Sequence, residues 1–190
     1  MDMLTQMWDI FLQISKGMGI TLEIFFSTLF FSLILGLGLA LCRMAKFKPI
    51  SLLAKVYISI MLQLLVVYFG PYFIFGIRIT QAYKLQAVLI GFALNYAAYF
   101  AEIYRAGIES IPVGQYEAAQ LLGYSKTQTF FCIIMPQVIK RIIPPVANET
   151  ITLVKDTSLA FTLSVAEVFT LTKQLVSSMS SMTPFIVAGI

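Results

Sequence analysis

An all-α bundle embedded in a membrane is the fold class this sequence predicts. Three observations predict it: long apolar runs, a scarcity of charge, and basic residues gathered between alternate runs. The chain of 190 residues is 59% hydrophobic and 12% charged, with a mean hydropathy of +0.88. An ordinary soluble domain is about 45–50% apolar and about 25% charged.

A membrane helix needs about 20 mostly apolar residues, because each rises about 1.5 Å through a hydrocarbon core of about 30 Å. Four stretches meet or approach that demand, at about 18–44, 56–75, 85–104 and 142–165, and a fifth begins near residue 184. The whole of 1–190 reads as a single transmembrane domain. Residues 1–17 place Met3, Met7, Trp8, Phe11 and Leu12 at near-helical spacing. They predict either an amphipathic helix lying in the interface with Trp8 at headgroup depth or a frayed terminus. No basic residue occurs among the first ten, where Asp2 and Asp9 stand instead, so the first apolar span is expected to be kept and not removed as a signal peptide.

Lys and Arg asymmetry sets the orientation. Arg43, Lys46, Lys48, Lys55, Arg105, Lys126, Lys140 and Arg141 fall on one side, which makes eight of the thirteen basic residues; Lys16, Arg78, Lys84 and Lys173 fall on the other, and Lys155 lies inside a span. The first group marks the cytoplasmic side and places the N-terminus outside. Because these charges are scattered between apolar runs, the net charge of +4 reads as topological, with membrane lipid and not nucleic acid as the surrounding partner.

The connection at about 105–141 is neither apolar enough to span nor polar enough for disorder. After the Ile111-Pro112 break, residues 116–122 (YEAAQLL) are good helix formers, and Gly123 stands where a C-cap belongs. Ser125 is placed to cap a second short helix through 129–134, which Pro136 is expected to interrupt. Two short helices joined at a glycine make a rigid protrusion.

Three motifs in order carry a resemblance. Glu117, Ala118, Ala119, Gly123, Ile134 and Pro136 follow the spacing of a Glu-Ala-Ala…Gly…hydrophobic…Pro loop. Ala101, Glu102, Ile103, Arg105, Gly107 and Ile108 match A-E-I-x-R-x-G-I, and Lys155 to Leu159 read K-D-T-S-L. Over about 19–171 the chain resembles the membrane subunits of ATP-binding-cassette importers, in the branch for histidine, arginine, glutamine and glutamate. That resemblance implies a type I importer fold of five or six helices per permease in a bacterial inner membrane. It further implies two permeases per transporter, the second a copy or a paralogue, two cytoplasmic ATPase subunits that bind ATP and magnesium, and an external substrate-binding protein. The coupling loop would be carried by Glu117, Ala118, Ala119, Gly123 and Tyr124: Glu117 offers a carboxylate to a basic partner, the alanines permit close approach, and Gly123 permits the bend.

Two departures stand out. The R-G-T-P-L stretch that the family carries before its leucine-rich second helix has no counterpart between Tyr57 and Phe69, and the segment from Pro184 would need about 20 further residues to cross again.

Ionisable residues within a span are costly and point to function. Asn95, Tyr99 and Glu102 share one face of the third span; Glu149, Thr152 and Asp156 share one of the fourth, beside the stripe of Asn148, Thr152 and Lys155. A zwitterionic amino acid needs an anion for its ammonium and donors for its carboxylate. Asp156 or Glu149 supplies the first and Lys155 the second, with Asn95 and Glu102 as further candidates. The competing reading is structural: Lys155 and Asp156 pair with other helices or the second permease, and Glu102 pairs with Arg105 one turn away. Glu23 reads as a wall or gate residue, and Gly36 and Gly38 as points of close helix packing.

No histidine, no metal-ligand spacing and no G-x-x-x-x-G-K-[ST] phosphate loop occur in the sequence. Metal chemistry, a resident cofactor and ATP hydrolysis by this chain are therefore not expected. A gradient-driven secondary transporter or channel subunit is the alternative to the importer.

Overall fold

The computed structural model describes residues 3–45, 47–63 and 83–189, and every ordered element among them is helical. Helix α1 spans Met3–Ser15, α2 Met18–Met44, α3 Lys48–Gln63, α4 Lys84–Glu109 and α5 Val113–Leu121. A single turn at Lys126–Gln128 and a π-helical stretch, Thr129–Ile134, lead without a break into α6, Met135–Asp156. A 3-10 segment, Thr157–Leu163, follows, and then α7 at Val168–Met179 and α8 at Thr183–Ala188. Among the described residues three helical stretches are long and apolar enough to cross a membrane: Leu4–Met44, which includes the turn at Lys16 and Gly17, Lys84–Glu109 and Lys126–Leu163.

The described residues group into two compact units. One contains α1, α2 as far as Thr28, α4 as far as Gly91, and everything from Thr152 onward. In it α1 packs on α7 and α8 through buried Ile10 and Ile14, while Leu4, Trp8, Phe11 and Leu12 stay exposed. The N-terminal segment is thus a helix with one buried and one exposed face, and not a frayed terminus. Gly17 ends this helix where a Cβ would stand 2.8 Å from the backbone of Glu167 and Val168.

The other unit contains α2 from Leu29, α3, α4 from Phe92, α5, and α6 as far as Ile151. Its core lies on α4. Phe92, Ala93, Tyr96, Ala97, Phe100 and Ala101 recur as adjacent pairs every four residues and are all buried, the pattern of a stripe that follows one helix face. Ala40 of α2, Ile58 of α3, and Ala98 and Ala101 of α4 pack together, flanked by Leu39, Tyr57, Met61 and Tyr104. Small side chains on α4 let α2 come close. A Cβ on Gly36 would lie 2.8 Å from Phe100 Cβ and 3.0 Å from the Ala97 carbonyl oxygen, whereas Gly38 has nothing within 4 Å. Close packing therefore belongs to Gly36, and Gly38 faces open space among the described residues.

The helix boundaries correct the sequence reading in three places. Helix α3 starts at Lys48, eight residues before the expected span, so Lys48 and Lys55 sit on a helix; residues 64–75 of that span lie outside the described residues, as does Arg78. Pro136 does not interrupt. Proline removes one N–H and crowds the carbonyl four residues back; the preceding stretch is π-helical, whose wider turns relieve that conflict, and the chain stays helical through Pro136. The third difference is α7, which the apolar runs did not reveal because Thr, Ser, Lys and Gln dilute it.

Candidate coupling and substrate sites

The loop around Glu117 is built by its caps. Helix α4 closes at Glu109, and Pro112, at φ −59° and ψ 141°, turns the chain into α5 as its N-cap. At the far end Gly123 adopts φ +82°, a left-handed conformation that costs a residue with a Cβ about 1–2 kcal/mol. Its N–H donates to the Gln120 carbonyl at 3.0 Å, and Tyr124 N–H donates to the Ala119 carbonyl at 3.1 Å, the bonding of a Schellman terminus. Ser125 then opens the next helix with a reciprocal capping box: Gln128 N–H donates to Ser125 Oγ at 3.3 Å, and Ser125 N–H to Gln128 Oε1 at 2.9 Å. Both sequence signals, Gly123 and Ser125, place these ends correctly.

An apolar cluster holds the loop. Ile111, Ile134 and Val138 are buried together, with Ile108, Tyr116, Phe130, Ile133 and Ile142 packed around them, and Ala119 of α5 is also buried. Apart from Ala119 and Tyr116, α5 faces outward. Glu117 and Ala118 are exposed, Leu121 is 90% exposed, Leu122 75% and Tyr124 42%. Bulky apolar side chains at that exposure beside an acid form a surface suited to a partner.

Below the loop, α4 and α6 cross closely. A Cβ on Gly107 would overlap Ile142 Cγ2 and stand 3.4 Å from Val138 Cγ1. A cleft of about 480 Å³ lies between the two helices, lined by Tyr99, Glu102 and Ser110 of α4 and its end, and by Arg141, Pro145 and Glu149 of α6. Arg141 Nη1 donates to the Ser110 carbonyl at 2.5 Å and to Ser110 Oγ at 3.0 Å. Gln137 Nε2 donates to Gln115 Oε1 at 3.2 Å.

Glu102 is the hub of an ionic network. It accepts from Arg43 in the last turn of α2 and from Arg105, whose Nε lies 3.1 Å from Oε1; Arg105 also pairs with Glu109. The Arg105 pairing follows from sequence spacing, but the Arg43 pairing, 59 residues away, does not.

Of the five residues considered for substrate, the structure brings Glu102 and Glu149 to one cleft. Asn95 is fully buried, and its Nδ2 donates to the Met61 carbonyl at 2.7 Å, tying α4 to α3. Lys155 and Asp156 lie at the end of α6 in the other unit, Lys155 exposed and Asp156 half-buried. Glu23 is exposed on α2. One ionisable residue the motifs missed is Glu167, 1% exposed. It is the N-cap of α7 and accepts from Phe169 N–H and Thr170 N–H, each at 2.6 Å, and from Thr170 Oγ1 at 2.7 Å. Sequence offered no signal for it, because glutamate is not among the preferred N-cap residues and the capping box runs in the opposite order.

Residues 17–190 match the family model for the binding-protein-dependent transport system inner membrane component. The chain belongs to this family. It is similar to the probable amino-acid ABC transporter permease protein YckA of Bacillus subtilis, with 44% identity over 154 residues that cover 80% of this chain and 68% of that protein. It is also similar to the arginine transport system permease protein ArtQ of the same organism, 35% identical across 93% of this chain and 83% of the relative. Among solved structures it matches the crystal structure of an amino acid ABC transporter with histidines, at a TM-score of 0.84 and 30% identity, covering all of this chain and 89% of that one. As a member of this family the chain is a membrane permease subunit of an importer, and the gradient-driven alternative falls away. The exposed face of α5 and the cleft beneath it are the permease's candidate sites.

Proposed function

We propose that this permease forms the translocation pathway of an ATP-binding-cassette importer for a polar amino acid, and that α5 docks on a separate ATPase subunit. The observation that carries the docking role is the exposure of Glu117, Leu121 and Leu122 on a helix whose C-terminal end is closed by a Schellman turn and whose inner face is buried. A free loop would absorb a push from a partner; a capped helix seated on an apolar cluster passes it on. Two ATPases holding ATP and magnesium serve two permeases, and an external binding protein delivers substrate to the side of the N-terminus.

The relatives' names, which specify arginine and cystine among other amino acids, support the substrate class. In this reading Asp156 receives the substrate ammonium and Lys155 its carboxylate. Glu102, already shared by two guanidinium groups, and Asn95, bonded to α3, act by shaping the pathway.

The test is Glu117→Arg in the complete transporter in liposomes. ATP-driven uptake of radiolabelled amino acid is expected to fall at least about tenfold while insertion of the permease is unchanged, since a charge reversal at a contact costs about 1.4 kcal/mol or more. Uptake at the unmodified rate would sink the docking assignment.

A further inference from the structure

Helix α6 crosses α4 at a single point of closest approach and reaches α5 on one side of it. Gly107 and Ile142 touch where no Cβ would fit. Gln137, five residues before Ile142, bonds to Gln115 of α5. Glu149, seven residues after Ile142, lines the cleft opposite Glu102. At 1.5 Å per residue these two positions lie about 7.5 Å and about 10.5 Å from the crossing, on opposite sides. A turn of α6 about Ile142 would pass a displacement at Gln137 on to Glu149, through a segment that holds Pro144 and Pro145.

Arg141 stands beside that crossing. Its guanidinium donates to the carbonyl and hydroxyl of Ser110, where α4 has ended and the chain turns into α5, and Ser110 Oγ donates in turn to the Gly107 carbonyl at 2.7 Å. We propose that Arg141 is a positioning residue that locks the base of α5 to α6, so that displacement of α5 alters the separation of Glu102 and Glu149 across the cleft. Apolar packing of Ile111, Tyr116, Ile134 and Val138 keeps the loop folded without it. That packing is non-directional, whereas two charge-assisted bonds to one serine fix a direction. The inference rests on the docking role of α5 proposed above.

The experiment measures amino acid imported per ATP hydrolysed, in liposomes holding the complete transporter, for the unmodified permease, Arg141→Lys and Arg141→Met. Each is also made in a Cys42→Ser, Cys132→Ser background carrying Leu121→Cys, to cross-link α5 to the ATPase. Arg141→Met is expected to keep the cross-link and ATP hydrolysis while the import ratio falls about two- to thirtyfold, the range of long-range coupling energies. Arg141→Lys, which retains a charged donor, should fall between. An unchanged ratio in Arg141→Met overturns the inference. So does a lowered ratio with the cross-link lost, because Arg141 would then merely hold α5 in shape. No cross-link in the unmodified-Arg141 background overturns the docking role instead.

Discussion

Gly36 and Gly38 sit two residues apart on the same apolar helix, and alanine should affect them in opposite directions. At Gly36 a new methyl group meets Phe100 Cβ at 2.8 Å, the Ala97 carbonyl oxygen at 3.0 Å and the Ala101 nitrogen at 3.2 Å. Two of these atoms are backbone, held in the ladder of α4, so α2 itself must move away. Overpacking of this kind costs about 1–3 kcal/mol. Alanine also relieves the conformational freedom of glycine in a helix, by about 0.5–1 kcal/mol, which offsets part of the cost. At Gly38 nothing lies within 4 Å, and only the gain remains. Gly36→Ala should therefore be about 1–3 kcal/mol less stable than Gly38→Ala, the helix-propensity gain cancelling between them. The purified chain in mixed micelles, unfolded by increasing mole fraction of sodium dodecyl sulfate, reports the difference as a lower midpoint for Gly36→Ala. Equal midpoints would refute the reasoning, because they would mean that α2 does not approach α4 at Gly36.

The ionic hub and the capped loop give two further expectations. Glu102→Gln should lower stability in the same assay by about 1–2 kcal/mol, since it leaves Arg43 and Arg105 without their shared carboxylate in a partly buried place; Glu109→Gln, whose carboxylate is 55% exposed, should cost less than about 0.5 kcal/mol. Ser125→Ala should remove the capping box at a cost of about 1 kcal/mol, seen as faster amide hydrogen exchange at Gln128 with the exchange of α4 unchanged.

The loop shows how far local chemistry reads. Gly123 and Ser125 could be placed from sequence because a left-handed turn and a capping box are each satisfied within a few residues, and neither needs a distant partner. Pro136 misled for the converse reason. A proline's effect depends on the turns before it, and a π-helical stretch absorbed what an α-helix would not. Helix α7 escaped notice because its start is set by a buried glutamate cap, not by an apolar run.

The candidate sites divide along the same line. Spacing alone put Glu102 beside Arg105, since three residues make one helical turn; that Arg43 completes the hub follows only once α2 crosses α4. Gly36 and Gly38 are indistinguishable as letters, and the packing of Phe100 and Ala97 against one of them separates their roles. Sequence by itself determined the membrane character, the helical composition and the family, because hydrophobic length, turn chemistry and motif spacing are properties of neighbours along the chain. Tertiary structure decided which carboxylates meet which guanidinium groups and which glycines are pressed between helices, because those contacts form between residues tens of positions apart, and no local rule specifies the angle at which two apolar helices cross.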